Sequence, residues 1–239
     1  MKLIQLHIAH KQAEFTRHPF FAQLDSGVAF PEALSFAPGL TFWVMAFQDV
    51  LRLNERFTRD PELRKIARHH RAEDSGHHHW FLDDLEKVGA NDTGNDIRWL
   101  FGKNHAETRD AAYALMAEVY RASDDRVRLV LLMTLESAGH IFFERTAKVV
   151  DRVGQSDALK YFSFSHLEVE KNHEVFEKEM AKKIDSIYLA PELREEAEAL
   201  VDRCYEAFAS MFEALAAPQF VAAAAMQKQP VRMARSAAR

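Results

Sequence analysis

Apolar residues recur at helical spacing along most of the chain, a pattern typical of amphipathic α-helices. The sequence has only 8 Gly and 7 Pro in 239 residues, and it lacks the turn signals that separate the strands of β-hairpins. No shift in composition and no internal repeat marks a second domain. The pattern therefore predicts an all-α, single-domain helical bundle over residues 1–218, followed by a disordered basic tail at 219–239.

Prolines and capping residues divide this pattern into helices. Asp60-Pro61 is predicted to open one helix and Gly89 to close it, whereas Pro38-Gly39 is predicted to interrupt or kink another. The predicted helices cover residues 2–16, 19–27, 31–57 with that interruption, 61–88, 96–101, 105–123, 125–153, 157–187 and 191–217.

Composition and charge narrow the possible functions. The net charge is −5 and the pI is about 6.2, so no nucleic-acid partner is expected. The single cysteine, Cys204, provides neither a disulfide framework nor a cysteine-based zinc site, and we expect it to be a structural core thiol. No signal-peptide pattern and no long apolar run occurs, so we expect a cytoplasmic protein without a membrane partner. The apolar N-terminal helices suggest a homodimer.

The first candidate for chemistry is the sequence His166-x-x-x-Glu170-x-x-His173. Positions i, i+4 and i+7 fall on one stripe of a helix, so two imidazoles and a carboxylate would point the same way. Iron and manganese accept this mixture of ligands. The alternative is an exposed helix face with ordinary i,i+4 charge pairs.

The helix predicted over 61–88 supplies a second set of candidates. Glu73 and His77 are four residues apart, and His70 and Asp74 share the same third of the helix circumference. We expect Glu73 and His77 to be metal ligands and His70 and Asp74 to support them from a second layer. The alternative is a charged outer face.

A third candidate lies in the helix predicted over 125–153, where Glu136 and His140 are four apart in an apolar stretch. A carboxylate in such a stretch is costly to bury unless it is paired or binds a metal. We therefore expect Glu136 to be a ligand and His140 to support it, the alternative being a core acid paired with Arg. The predicted metal ligands are Glu73, His77, Glu136, His166, Glu170 and His173.

Several of these motifs resemble a known superfamily. The stretch EDSGHHHWFLDDLEKVG resembles the E-x-x-G-H-x-x-W-x-x-x-D-L pattern of heme-oxygenase-like proteins. HLEVEKNH is similar to the H-x-x-x-[DE]-x-x-H helix of the heme-oxygenase-like diiron oxidases, which include CADD-type proteins. HPFFAQLDSG and FQDVLRLN resemble the TenA (thiaminase II) and PQQ-synthesis oxidase group of the same fold. The likeness covers residues 15–215 in order and spacing.

The resemblance implies a heme-oxygenase-like bundle that holds two iron ions, or manganese, and uses O2 to oxidise a small organic substrate. By position, the matching ligands are Glu73, Glu136, His166, Glu170 and His173. Some relatives place the second ligand of the 61–88 helix where Trp80 stands here, so His77, His70 or Asp74 would substitute. The alternative is a metal-independent TenA-like or PQQ-synthesis-like protein that binds a small molecule or acts as a cofactorless oxidase. Thiaminase II itself fits poorly, because its catalytic cysteine lies mid-chain, whereas the single cysteine here, Cys204, lies in the last predicted helix.

Overall fold

The computed structural model describes residues 1–90, 96–171 and 181–216, with the backbone alone at 168–171. These residues form one helical domain without a strand, which confirms the all-α prediction. The backbone is also helical over 181–186, and 3-10 turns occur at Glu32–Leu34 and Lys103–His105. The α-helices are α1 (Lys2–Phe15), α2 (Pro19–Leu24), α3 (Ala37–Phe57), α4 (Pro61–Glu73), α5 (His77–Lys87), α6 (Ile97–Leu100), α7 (Ala106–Arg121), α8 (Asp125–Arg152), α9 (Phe164–Lys171) and α10 (Pro191–Leu215).

The predicted cap of α4 is confirmed. Asp60 Oδ1 accepts hydrogen bonds from the backbone N–H groups of Glu62 and Leu63, at 2.8 and 2.9 Å, and Pro61 occupies the first turn. The predicted interruption of the 31–57 segment is confirmed, just before Pro38. A 3-10 turn covers Glu32–Leu34 and α3 begins at Ala37, with Pro38 in its first turn, where the missing N–H costs nothing.

The start of the helix that carries His166 also differs from the prediction. Residues 156–163 form consecutive turns, and α9 begins only at Phe164. The backbone N–H groups of Lys160, Tyr161 and Phe162 donate to the carboxylate of Asp84 in α5 instead of to helical carbonyls. A buried side chain therefore replaces the expected helical cap.

The helix predicted over 61–88 is two helices. Asp74 caps the C-terminus of α4, and Gly76 follows with φ 92°, a left-handed conformation that stops the helix. The side chain of Gln48 in α3 donates to the carbonyl of Asp74 at 3.3 Å across this break. Glu73 and His77 therefore do not lie on one continuous helical stripe.

Replacing Gly76 with alanine is expected to lower the free energy of unfolding by about 1–2 kcal/mol. A Cβ built on Gly76 meets no atom of the described residues within 4 Å, so the expected cost comes from the backbone conformation. Urea denaturation followed by circular dichroism measures the change. Ser75→Ala, at the exposed neighbouring position, is the control, and a Gly76→Ala protein as stable as that control would contradict the prediction.

The long helix α8 packs against α1, α4, α9 and α10 and lies at the centre of the bundle. Phe142 in α8 stacks on Phe212 in α10, with ring centroids 5.6 Å apart and planes at 12°. Phe20 in α2 stacks on the other side of Phe212 at 4.7 Å. Cys204 in α10 is fully buried, as predicted, and burial raises the pKa of its thiol.

Among the described residues, no helix is long and apolar enough to cross a membrane.

Candidate metal centre

A pocket of about 720 Å³, counted out to its mouth, lies between α3, α8 and α10. Its walls are mostly apolar, with Trp43 and Phe47 from α3, Phe142 and Phe143 from α8, and Phe208 from α10. One end is polar and is formed where α4 meets α5, by α8 and by the start of α9. Pockets with mostly apolar walls and a few convergent polar groups are typical of small-molecule sites.

Three potential ligands from α4 and α8 converge at the polar end. One atom each of His70, Asp74 and Glu136 lies within 4.8 Å of the other two. His70 Nε2 is 2.9 Å from Glu136 Oε1 and 3.2 Å from Asp74 Oδ2. This nitrogen is shielded from solvent, yet neither contact aligns as a hydrogen bond within the described residues.

Two further imidazoles extend this group. His77 Nδ1 is 3.2 Å from Asp74 Oδ1 and 3.1 Å from His166 Nε2. Both rings are buried, His77 at 6% and His166 at 1% exposure. The resulting chain of contacts, called the donor group below, consists of His166, His77, Asp74, His70 and Glu136.

The tautomer of His166 follows from its second contact. Its Nδ1 is 2.8 Å from the carbonyl oxygen of Tyr161, which can only accept, so Nδ1 carries the proton. The lone pair of Nε2 therefore faces His77. Burial, together with the neighbouring His77, lowers the pKa of His166 to about 4, so this imidazole is neutral near pH 7. A neutral imidazole whose other N–H donates to a carbonyl is the usual form of a metal ligand.

The acidic members change the charge on His70. Burial by itself would lower the pKa of His70, but the charges of Glu136 and Asp74 outweigh it and raise that pKa well above its usual value. For Asp74, burial acts to raise the pKa, but contacts with His70 and His77 hold it far below its usual value. Without a metal ion, Asp74 is thus a carboxylate between two imidazoles.

Three members of the donor group have the spacing of ligands to one ion. One atom each of His70, Asp74 and Glu136 lies within 4.8 Å of the other two, and two ligand atoms about 2.1 Å from one ion at a right angle are about 3 Å apart. The four contacts along the donor group measure 2.9, 3.1, 3.2 and 3.2 Å. Asp74 presents Oδ1 to His77 and Oδ2 to His70, so its two oxygens face different members of the donor group. The mixture of carboxylate and imidazole suits iron or manganese.

The structure places the predicted ligands unequally. His77, Glu136 and His166 belong to the donor group, together with Asp74 and His70, which were expected only in a supporting layer. The Glu73 carboxylate is instead 2.8 Å from His69 Nε2 on the preceding turn of α4.

Glu136 and its neighbour His140 face the pocket and not the packed core. The Glu136 side chain is 50% exposed and its partner is the His70 imidazole, so the alternative of a core acid paired with an arginine is wrong. His140 lines the same pocket and is exposed. The side chain of Glu170, the whole of His173 and the predicted tail at 219–239 lie outside the described residues.

The sequence pattern did not predict that Asp84 holds the turn before α9. Its carboxylate is fully buried and accepts backbone N–H groups from Lys160 at 2.9 Å, Tyr161 at 2.8 Å and Phe162 at 3.3 Å. These bonds hold the turn that precedes α9 and thereby position His166. The position of Asp84 could have indicated this role, because it lies with Phe81 and Leu85 on the buried face of α5, and a buried carboxylate needs hydrogen-bond donors.

Trp80 supports the imidazoles of the donor group. Its ring lies 4.4 Å from that of His77, at 30°, and 5.6 Å from that of His166, nearly perpendicular. The Lys160 ammonium sits 3.6 Å from the centroid of the Trp80 ring, a cation–π contact. The indole therefore limits the rotation of both imidazoles.

Compared with known proteins, the chain matches no protein-family model, and no curated protein matches it significantly.

Proposed function

We propose that this protein is a non-heme, O2-dependent oxidase or oxygenase that binds two iron or manganese ions and acts on a small organic substrate. One observation carries the proposal. Five imidazole and carboxylate side chains form a continuous chain of contacts at the polar end of an apolar pocket, and three of them, His70, Asp74 and Glu136, have the spacing of ligands to one ion. Such a site brings a redox metal and a small molecule into contact.

Asp74 lies between two parts of the donor group. His70, Asp74 and Glu136 come close enough to one another to hold one ion, and His77 and His166, on the other side of Asp74, would contribute imidazoles to a second. When bound, two iron ions would supply the electrons with which O2 is reduced while the substrate is oxidised. The resemblance to the heme-oxygenase-like diiron oxidases supports iron over manganese.

The residues of the chain would bind, orient and shield the reactants. The Tyr161 carbonyl keeps the proton of His166 on Nδ1, so that Nε2 is available as a ligand. Trp43, Phe47 and Phe208 exclude water from the apolar walls, which limits side reactions of the reduced site. The half-exposed Glu136 lies at the pocket, where it can change its contacts as substrate enters.

An anaerobic titration of the metal-free protein with Fe(II), monitored by calorimetry, tests this proposal. We expect two ions per chain, followed by O2 consumption and a change in visible absorption when air is admitted. Mn(II) is titrated in parallel. A protein that binds no Fe(II) under these conditions would contradict the proposal.

A metal-independent small-molecule binding protein or cofactorless oxidase is the second candidate. The direct contact of 2.9 Å between His70 and Glu136 favours it, because an imidazolium and a carboxylate at that distance are already neutralised without a metal ion. In that case the Tm would be unaffected by EDTA and by Fe(II), whereas an organic ligand would raise it.

A further inference from the structure

Gly139 stands in the middle of α8, and it lines the pocket together with Glu136 on the preceding turn. Glycine in a helix interior lowers helix stability relative to alanine, so its position there calls for a reason.

The fold itself does not require this glycine. Its φ angle is negative, unlike those of Gly27, Gly76, Gly89 and Gly154. Among the described residues, a Cβ built on Gly139 would meet only Phe143 Cε2, at 3.8 Å, an ordinary van der Waals contact. Neither the backbone nor the packing excludes a side chain, so what glycine provides is free space in the pocket.

The walls around this space are aromatic. Phe143, one turn from Gly139, lies with its ring 4.1 Å from the ring of His166 in the donor group. Phe142 and Phe212 line the pocket in a parallel stack, and Trp43 meets Phe208 edge to face at 5.4 Å. Rings in such surroundings bind a further ring by stacking and edge contacts, which an alkyl chain cannot make.

Most of the polar groups that line the pocket belong to one end. Asp74, His77, Glu136 and His166 meet there, and Gln48 reaches the same end through its bond to the Asp74 carbonyl. His78, His140 and Tyr161 also line the pocket, and the described lining contains no Lys or Arg to pair with a charged group along the walls. A ligand that satisfies both regions has one polar substituent on an otherwise apolar body.

We propose that the pocket takes a flat aromatic molecule with a single polar substituent, and that Gly139 determines which rings fit. The polar substituent then faces the donor group and the ring lies against Gly139 and Phe143. The role of this molecule as substrate rests on the proposed function, but the room for it is a property of the metal-free protein.

Calorimetric titration of metal-free protein with 2-naphthol, and with 1-decanol as the flexible alkyl counterpart, tests the inference. We expect one 2-naphthol per chain, bound more tightly than 1-decanol. Gly139→Leu should weaken 2-naphthol binding at least about tenfold, since its side chain occupies the space of the ring. Gly139→Ala should raise the Tm while it weakens binding, and this variant decides the matter if Gly139→Leu does not fold.

Lys148→Leu, on an exposed part of α8 outside the pocket lining, is the matched control and should bind 2-naphthol as the unmodified protein does. No 2-naphthol binding, tighter binding of 1-decanol, or equal affinity in the Gly139 variants would overturn the inference. Fe(II) titration of the same samples separates the two proposals. If the unmodified protein binds Fe(II) but not 2-naphthol, only the aromatic ligand is refuted. If it binds 2-naphthol but not Fe(II), only the metal-dependent function is refuted.

Discussion

Replacing Asp74 with asparagine is expected to weaken Fe(II) binding by about 100-fold or more. The two oxygens of Asp74 face His77 and His70, so in the proposed site both ions would share this one carboxylate. An amide keeps the shape but offers one neutral oxygen and loses the negative charge. Anaerobic calorimetry measures the affinity, and circular dichroism of the metal-free variant confirms the fold.

Glu62→Gln is the matched control, because Glu62 is an exposed acid of α4 that pairs with Lys65. We expect this variant to bind Fe(II) nearly as well as the unmodified protein. Glu73→Gln tests in parallel the ligand that the sequence motif implies. If Glu73→Gln abolished binding and Asp74→Asn did not, the assignment of Asp74 as the shared ligand would be wrong.

Replacing Asp84 with alanine is expected to lower the free energy of unfolding by about 3 kcal/mol or more. The substitution leaves the buried N–H groups of Lys160, Tyr161 and Phe162 without their acceptor. It also releases the turn that positions His166, so Fe(II) affinity should fall in the same variant. Urea denaturation and the Fe(II) titration measure the two effects.

Asp83→Ala is the control for this prediction, since Asp83 is the adjacent acid of α5 and is exposed. We expect its unfolding free energy to change by less than about 0.5 kcal/mol. Asp84→Asn should fall between the two, because the amide still offers one acceptor oxygen. Equal stability of Asp83→Ala and Asp84→Ala would show that the buried carboxylate contributes nothing to the turn.

The helical architecture was largely predictable from local sequence. Period and capping are short-range properties, and they correctly gave α1, the start of α4 at Asp60-Pro61, α8 and the start of α10 at Pro191. The turns at 156–163 were missed for the opposite reason. Their N–H groups bond to Asp84, 76 to 78 residues away in sequence, and no local pattern reports that partner.

The sequence predicted that imidazoles and carboxylates from these helices would meet, but it did not predict every residue of the donor group. Residues on α4, α5, α8 and α9 were expected to converge, and His77, Glu136 and His166 do. Glu73 was expected from its spacing to His77 on one unbroken helix and from the resemblance, whereas the left-handed Gly76 changes the direction of the chain between Glu73 and His77 and Asp74 contacts His77. The sequence Asp74-Ser75-Gly76 is a typical helix-ending sequence, but the helical spacing of apolar residues continues on both sides of it, so one helix was predicted.

The sequence pattern also did not predict that Glu136 is exposed to a pocket. The apolar neighbours of Glu136 in α8 are buried, but that residue turns toward a pocket whose other walls come from α3 and α10. A one-dimensional pattern cannot distinguish the inside of a pocket from the inside of a core, because both are lined by apolar side chains.

The donor group also determines when during folding a metal ion can be captured. Its members stand at positions 70–77, 136 and 166, and they meet only after α8 has docked on α4 and the turn before α9 has closed on Asp84. A partly folded chain offers only fragments of the site, so an ion binding the assembled site should leave the refolding rate unchanged and slow unfolding. Metal would thus extend the lifetime of the native protein instead of guiding its formation.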